Sequence, residues 1–210
     1  MIIKDWMQKD PITISSDTLA SEATKIFDEH RVRFIPVVDG GKLRGILPRR
    51  DLRHASSWVT ATQSIHEVNF FNTRLKVKDL MVRQPITLSI DDTVETALTR
   101  GAKLGRTFFP VMEGEKLVGT TCDMDIFNSL YQILGVGKEL SGITLDADQL
   151  EGNDIKEIVQ EITLAGGALH SLFTLKLPDS DEKRLVLRFQ AEDPKRVMSA
   201  IEKKGYRVVE

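Results

Sequence analysis

The feature that most constrains this chain is a segment that occurs twice. Residues 33–51 align without a gap with residues 107–125, about 74 positions further on. The identical pairs are Phe34/Phe108, Pro36/Pro110, Val37/Val111, Gly40/Gly114, Lys42/Lys116, Leu43/Leu117, Gly45/Gly119 and Asp51/Asp125. That spacing is too long for a solenoid repeat, so the sequence predicts a small domain that is present in two copies.

Each copy predicts the same succession of elements. In the first, Pro11-Ile-Thr-Ile-Ser15 is an extended piece, and Ser16 and Thr18 are N-cap candidates for a helix over residues 19–29. Strands at residues 34–38 and 42–47 follow, joined by a glycine turn. Pro48 suits the first turn of the next helix. The copies are therefore predicted as β-α-β-β-α units over residues 1–57 and 76–134.

Residues 58–75 lie between the two copies. Ile65 and Val68 mark one stripe of a helix, and Phe70, Phe71 and Leu75 add apolar surface. Two interpretations stay open for this inter-repeat helix. It packs on the repeats or on a second subunit, or it is a connector that covers exposed core.

The pattern changes after Leu134, where glycines mark a boundary. Residues 140–210 predict strands at 143–145, 169–177, 185–189 and 206–209, with helices at 155–165 and after Asp193-Pro194. The order β-α-β-β-α-β is that of a two-layer, ferredoxin-like domain. The whole chain is therefore predicted to mix helices and strands, in the α+β or α/β class.

Composition indicates an ordinary globular protein. Hydrophobic residues make up 41% and charged residues 29% of the chain, and its net charge is −2. No global positive charge draws such a protein to nucleic acid or to anionic lipid. The N-terminus has no signal-peptide pattern, and the single Cys122 suits a reducing compartment. We therefore expect a cytoplasmic protein with no nucleic-acid or membrane partner.

The sequence predicts neither a metal site nor a catalytic site. The four histidines are scattered without metal-ligand spacing. Gly135-Val-Gly-Lys138 lacks the earlier glycine and the Ser or Thr of a phosphate loop. Cys122 has no base nearby in the sequence and is interpreted as a small buried hydrophobe. We expect no enzymatic activity.

The repeated Pro-Ile-Thr, Phe-x-Pro-Val and Gly-x-x-x-x-x-Asp words resemble a tandem pair of cystathionine-β-synthase (CBS) domains, over roughly residues 1–134. The tail resembles an ACT domain in the order of its elements. Ser64-Ile-His-Glu-Val-Asn69 and Lys76-Val-Lys-Asp-Leu-Met81, followed by such a tail, are similar to the acetoin utilization group of these proteins. The resemblance implies clefts for adenosine-containing ligands and assembly as a homodimer.

The resemblance also implies roles for particular residues, with an adenine nucleotide (AMP, ADP, ATP or a related adenosine compound) as a regulatory ligand and not as a required cofactor. The implied contacts are Asp51 and Asp125 to ribose hydroxyls, the backbone at Ile12, Thr13, Ile86 and Thr87 to the adenine edge, and Arg33 or Arg106 to phosphates. Each Asp has an alternative interpretation, a helix-start residue without a ligand.

The sequence departs from the family pattern in both parts. Pro48 and Cys122 stand where related pairs carry Thr or Ser, and neither is a good hydrogen-bond donor. The tail has Gln149-Leu-Glu-Gly-Asn153 and Ala168 where amino-acid-binding relatives carry Asp-x-Pro-Gly and Asn. We therefore expect the tail to dimerise through its sheet. Two functions stay open, a regulatory sensor of adenosine compounds and a scaffold with empty clefts that acts through an unidentified protein partner.

Overall fold

The two copies of the repeated segment fold alike in a computed structural model of the chain. It describes residues 1–62, 65–148 and 150–209, with the side chains of residues 58–62 outside the description. The chain divides into two compact units, Met1–Phe127 and Asn128–Glu210. The domain boundaries proposed above from the sequence stay predictions.

The first unit holds both copies. A 3-10 turn at Ile3–Asp5 comes first, followed by β1 Gln8–Lys9, α1 Ala20–Glu29, β2 Phe34–Asp39, β3 Lys42–Pro48 and α2 Arg49–Thr62. The second copy comprises α4 Val77–Leu80, β4 Val82–Arg83, β5 Leu88–Ser89, α5 Val94–Leu104, β6 Phe108–Glu113, β7 Lys116–Cys122 and α6 Asp123–Leu134, which continues into the second unit. Between the copies lies α3 Ile65–Thr73.

The first strand of each copy pairs with the other copy. β1 pairs with β7 in the sheet of order β1-β7-β6-β5, and β4 pairs with β3 in the sheet of order β2-β3-β4. The buried side chains follow this exchange, because Ile3 lies in the core of the second copy and Val77 in the core of the first. Neither copy has a complete core without residues from its neighbour.

The exchange explains the glycine that recurs in the motif. A Cβ atom on Gly45 would lie 2.7 Å from the carbonyl oxygen of Val82, and one on Gly119 would lie 2.8 Å from that of Gln8. Both distances are shorter than a carbon–oxygen contact allows. Glycine is therefore required where β1 and β4 cross the other copy.

The hairpins form as predicted, but the start of the first helix differs. Gly40 has φ +56° and Gly41 has φ +77°, as a two-residue turn between β2 and β3 requires. The N-cap prediction for Ser16 and Thr18 was wrong. Residues 16–18 form a turn instead, and the carbonyl oxygens of Ser16 and Thr18 accept hydrogen bonds from the amides of Lys78 and Val77. Leu19 is the N-cap, and α1 begins at Ala20.

The segment between the copies packs on the first copy. Phe71 of α3 is buried in that core, and Ser21 Oγ of α1 donates to the carbonyl of Asn72 at 3.1 Å. The predicted inter-repeat helix over residues 58–75 is split between the end of α2 and α3. Residues 63 and 64, which lie between α2 and α3 in the sequence, are outside the described residues.

The second unit has the predicted ferredoxin-like order. Its elements are β8 Ser141–Asp146, α7 Gly152–Leu164, β9 Ala168–Lys176, β10 Lys183–Gln190 and α8 Pro194–Lys203. The strands are antiparallel in the order β8-β10-β9, and a bridge from Leu145 to Val208 places the last extended piece beside β8. Leu187 and Phe189 pack with Ile158, Ile162 and Ile201 from the helices. Within the described parts of the chain, no helix has the length and apolarity of a membrane span.

Candidate functional site

Two aromatic rings meet where the copies face each other. Phe34 and Phe108 occupy the same position in the repeat, and their rings stack with centroids 4.7 Å apart and planes inclined by 22°. A cavity opens on each side of the stack, one lined by Phe108 and the other by Phe34. The duplicated motif therefore places two potential ligand sites around one centre.

The larger cavity, of about 820 Å³, is lined by arginines, and we name it the arginine cavity. Its arginines come from both copies: Arg31, Arg33, Arg49, Arg50, Arg53 and Arg106. Three of them have carboxylate partners, because Arg33 pairs with Asp123, Arg49 with Asp28 and Arg50 with Asp51. The side chains of Arg31, Arg53 and Arg106 have no acidic partner among the residues that the structure describes. The cavity therefore carries an excess of positive charge.

The smaller cavity, of about 320 Å³, surrounds one buried carboxylate, and we name it the Asp125 cavity. Asp125 is only 7% exposed and accepts hydrogen bonds from the Cys122 amide at 2.7 Å and from Gln8 Nε2 at 3.1 Å. The first contact is that of a helix-start residue, since Asp125 lies in the first turn of α6. A carboxylate has about four acceptor positions, so capacity remains for two ribose hydroxyls.

Asp51 has a different environment from its counterpart. Pro48 stands where Cys122 stands in the second copy, and proline has no N–H to donate. The carboxylate of Asp51 instead contacts Arg50 Nε at 3.4 Å, and its side chain is 31% exposed. Among the residues described as lining the two cavities, Asp51 is absent.

The remaining predicted site residues also differ in whether they line a cavity. Arg33 lines both cavities and Arg106 lines the arginine cavity. The predicted adenine-edge residues do not line either cavity. Ile12 packs against the first core, and Thr13 lines a separate cavity of about 580 Å³. Ile86 is exposed, and the Thr87 carbonyl accepts a hydrogen bond from Arg100 at 3.2 Å. The structure places Arg33 with Arg106 in one cavity and with Asp125 in the other, and neither cavity is lined by Asp51 or the four adenine-edge residues.

Sequence reasoning missed several residues of the Asp125 cavity, among them Gln8 and Thr121. Gln8 reaches Asp125 only because β1 is exchanged, and its counterpart in the second copy is Val82, so the repeat carried no signal for it. Thr121 is 1% exposed, and its hydroxyl has no hydrogen-bond partner in the described structure. A signal for Thr121 did exist, because a polar residue stands where the first copy has the buried Leu47.

Cys122 also lines the Asp125 cavity, but as a thiol. Burial raises the pKa of Cys122 above its ordinary value, so the thiolate is disfavoured at neutral pH. A thiol is a weak donor and a poor nucleophile. The Cys122 thiol therefore forms part of the cavity wall and does not act as a reactive group.

A comparison with protein families agrees with this architecture. The model of the CBS domain matches residues 3–57 and again residues 77–131, which together make up just over half of the chain. The chain belongs to the CBS domain family and contains a tandem CBS pair.

Similar proteins include both free-standing CBS proteins and larger enzymes. A CBS domain-containing protein of Dictyostelium discoideum is 31% identical over 139 residues, which cover 64% of this chain and 94% of that protein. Inosine-5'-monophosphate dehydrogenase of Korarchaeum cryptofilum is 32% identical over 125 residues, 59% of this chain but 23% of the enzyme. The chain therefore matches less than a quarter of that enzyme's length.

Solved structures share the fold of the pair. The CBS domain pair of protein MJ0100, solved in complex with 5'-methylthioadenosine and S-adenosyl-L-methionine, is 26% identical, with a TM-score of 0.52 over 62% of this chain and 95% of that one. A Vibrio cholerae protein described as an acetoin utilization protein (AcuB) is 20% identical, with a TM-score of 0.53 over 65% of this chain and 94% of that one. At 20% identity this second likeness concerns the fold alone.

Proposed function

We propose that this protein is a cytoplasmic regulatory protein, without catalytic activity of its own, that senses an adenosine-containing ligand in its CBS pair. The observation that carries the proposal is the position of the buried Asp125 carboxylate beside an arginine-lined cavity. A carboxylate with free acceptor positions suits a ribose, and arginines suit phosphates. The adenosine compounds in the MJ0100 pair support this ligand class.

Thermal unfolding with ATP, ADP, AMP, S-adenosylmethionine and NADH, each at millimolar concentration, tests the proposal. A ligand at about 100 times its dissociation constant adds about 2.7 kcal/mol, which moves the melting temperature by a few degrees. The shift is expected to shrink in Asp125→Asn, which keeps one acceptor for the Cys122 amide. Asp79→Asn is the matched control, because Asp79 accepts from the Lys76 amide at a helix start away from both cavities. No shift with any of the five compounds contradicts the sensor.

A scaffold that acts by protein–protein contact is the second candidate. The environment of Asp51 favours it, because Pro48 offers neither a hydroxyl nor an N–H and Asp51 already contacts Arg50. This candidate predicts that none of the five compounds changes the melting temperature. It also predicts that Pro48→Thr, which restores both donors, creates no binding.

Three finer assignments complete the proposal. The second unit acts as an ACT-type domain that dimerises through its sheet, which is supported by its ferredoxin-like order and by the exposed edge strand β9. Homodimerisation of the pair is supported by Phe127 of α6, which is 62% exposed. A link to acetoin utilization is supported by the sequence motifs at residues 64–69 and 76–81. Light scattering of the full chain tests the dimer, and Phe127→Glu is expected to lower the measured molar mass. An unchanged mass in this variant would show that Phe127 of α6 is not part of the interface.

A further inference from the structure

Three consecutive residues form a wall that the two cavities share. Arg31, Val32 and Arg33 line both the arginine cavity and the Asp125 cavity. Arg33 Nη1 lies 2.7 Å from Asp123 Oδ1 and 2.8 Å from Asp123 Oδ2. Asp123 stands in the chain between Cys122 and Met124, which both line the Asp125 cavity. One guanidinium group is therefore in reach of both sites.

The contact between Arg33 and Asp123 is easily exchanged. About half of each side chain is exposed, 50% for Arg33 and 44% for Asp123. Exposed ion pairs contribute little to stability because water competes for both partners. A phosphate group can accept two hydrogen bonds from one arginine, as a carboxylate can, but it carries more negative charge. A polyanion in the arginine cavity therefore competes with Asp123 for Arg33.

Displacement of Arg33 from Asp123 changes the charge around the Asp125 cavity. With Arg33 paired to Asp123, the other charged side chains that line the Asp125 cavity are the positive Arg31 and the negative Asp125. Once Arg33 turns to a polyanion, the carboxylate of Asp123 is left without its cation beside Asp125. Asp125 in the cavity wall and Asp123, two residues away in the chain, are then balanced by Arg31 alone among the arginines of the wall, and Arg31 also lines the occupied arginine cavity. The Asp125 cavity becomes acidic when its neighbour is filled.

We propose that the arginine cavity binds a polyphosphate chain that takes Arg33 from Asp123, and that the Asp125 cavity then selects an uncharged or cationic adenosine compound. The second half rests on the proposed adenosine-sensing function, whereas the first half requires only an anion. Coupling between the two cavities is reciprocal, so each ligand strengthens the binding of the other.

Titration calorimetry with inorganic tripolyphosphate tests the first half on the full chain at low salt. Asp123→Asn frees Arg33 and is expected to tighten tripolyphosphate binding by up to about fivefold, the range that an exposed ion pair supplies. Arg106→Gln removes an unpaired arginine and is expected to weaken it by about tenfold or more. Asp92→Asn, the control, breaks the pair of Asp92 with Arg100 away from both cavities and leaves the affinity unchanged.

The second half is tested by titrating S-adenosylmethionine, a cationic compound, with and without saturating tripolyphosphate. Tripolyphosphate is expected to tighten its binding, which direct competition for one site would never do. In Asp123→Asn no carboxylate is set free, so the tightening is expected to disappear. S-adenosylmethionine binding that is unchanged or weakened by tripolyphosphate would overturn the coupling.

The outcomes separate this inference from the proposed function. If ATP shifts the melting temperature but tripolyphosphate does not bind, or binds equally to Asp123→Asn, the inference fails and the adenosine sensor stands. If tripolyphosphate binds as expected but no adenosine compound binds, the sensor and the coupling both fail, and the anion site stands alone.

Discussion

The backbone amide of Cys122 donates a hydrogen bond of 2.7 Å to the carboxylate of Asp125. The first copy has no such bond, because Pro48 occupies the position of Cys122 and has no N–H. The two aspartates of the repeated motif therefore have different roles despite their identical positions. Asp125 is hydrogen-bonded into the start of α6, whereas the carboxylate of Asp51 has the exposed Arg50 as its one side-chain partner in the described part of the chain.

This difference predicts unequal costs for the same substitution. Asp125→Ala removes acceptors from the Cys122 amide and from Gln8 at a buried site, so it is expected to lower the free energy of unfolding by about 1–2 kcal/mol. Asp51→Ala removes only an exposed contact, and the expected change is within about 0.5 kcal/mol. Urea unfolding of the two variants gives the comparison. Equal losses would show that the contacts of Asp125 contribute nothing specific.

Thr121 is expected to be a site where a substitution stabilises the protein. Its hydroxyl is buried without a partner in the described structure, and a buried unpaired polar group is costly. Thr121→Val replaces the hydroxyl by a methyl group of similar size. The free energy of unfolding is expected to rise by about 0.5–1.5 kcal/mol, measured by urea unfolding without ligand. A loss instead would indicate that the hydroxyl has a partner in solution.

The exchanged strands predict a steric penalty at the repeated glycine. A Cβ on Gly119 would lie 2.8 Å from the Gln8 carbonyl and 2.6 Å from Met7 Sδ, so β1 must shift. Gly119→Ala is expected to lower the free energy of unfolding by about 1–3 kcal/mol. Gly152→Ala serves as control, because no atom lies within 4 Å of its Cβ position. A loss confined to Gly119→Ala in thermal unfolding is the expected result.

Acid unfolding is expected to depend in part on Asp17. Hydrogen bonds from Lys78 and Lys76 lower the pKa of Asp17 from 3.8 to about 2. Because the folded-state pKa lies below the unfolded value, this contribution is complete above about pH 4 and is lost as the pH falls towards 2. Asp17→Asn is therefore expected to flatten the dependence of the unfolding free energy on pH between 4 and 2.

Salt provides the control for that experiment. The ion pairs of Asp17 are exposed at the surface, so high salt screens them. The wild-type chain and Asp17→Asn are expected to show the same pH dependence at 1 M salt. A difference that persists there would assign the effect to something other than these ion pairs.

Much of the fold was predictable because its signals are local. The duplicated motif, the positive φ required at Gly40 and the apolar spacing of each helix all lie within short stretches of sequence. The order of elements in the second unit was predictable for the same reason. In contrast, the turn that precedes α1 was missed, because the Thr18 carbonyl accepts a hydrogen bond from the Val77 amide, far along the chain.

The sequence by itself determined that the chain holds two copies of a β-α-β-β-α unit and a tail with ferredoxin-like order, since hydrophobic periodicity and turn residues act over a few positions. Only the tertiary structure decided how the repeats share their cores and which residues reach the cavities. Gln8 contacts Asp125 because β1 crosses to the other copy, and Arg33 and Arg106 line one cavity because the copies face each other. Such contacts depend on pairing between distant segments, which residue spacing within one repeat does not encode.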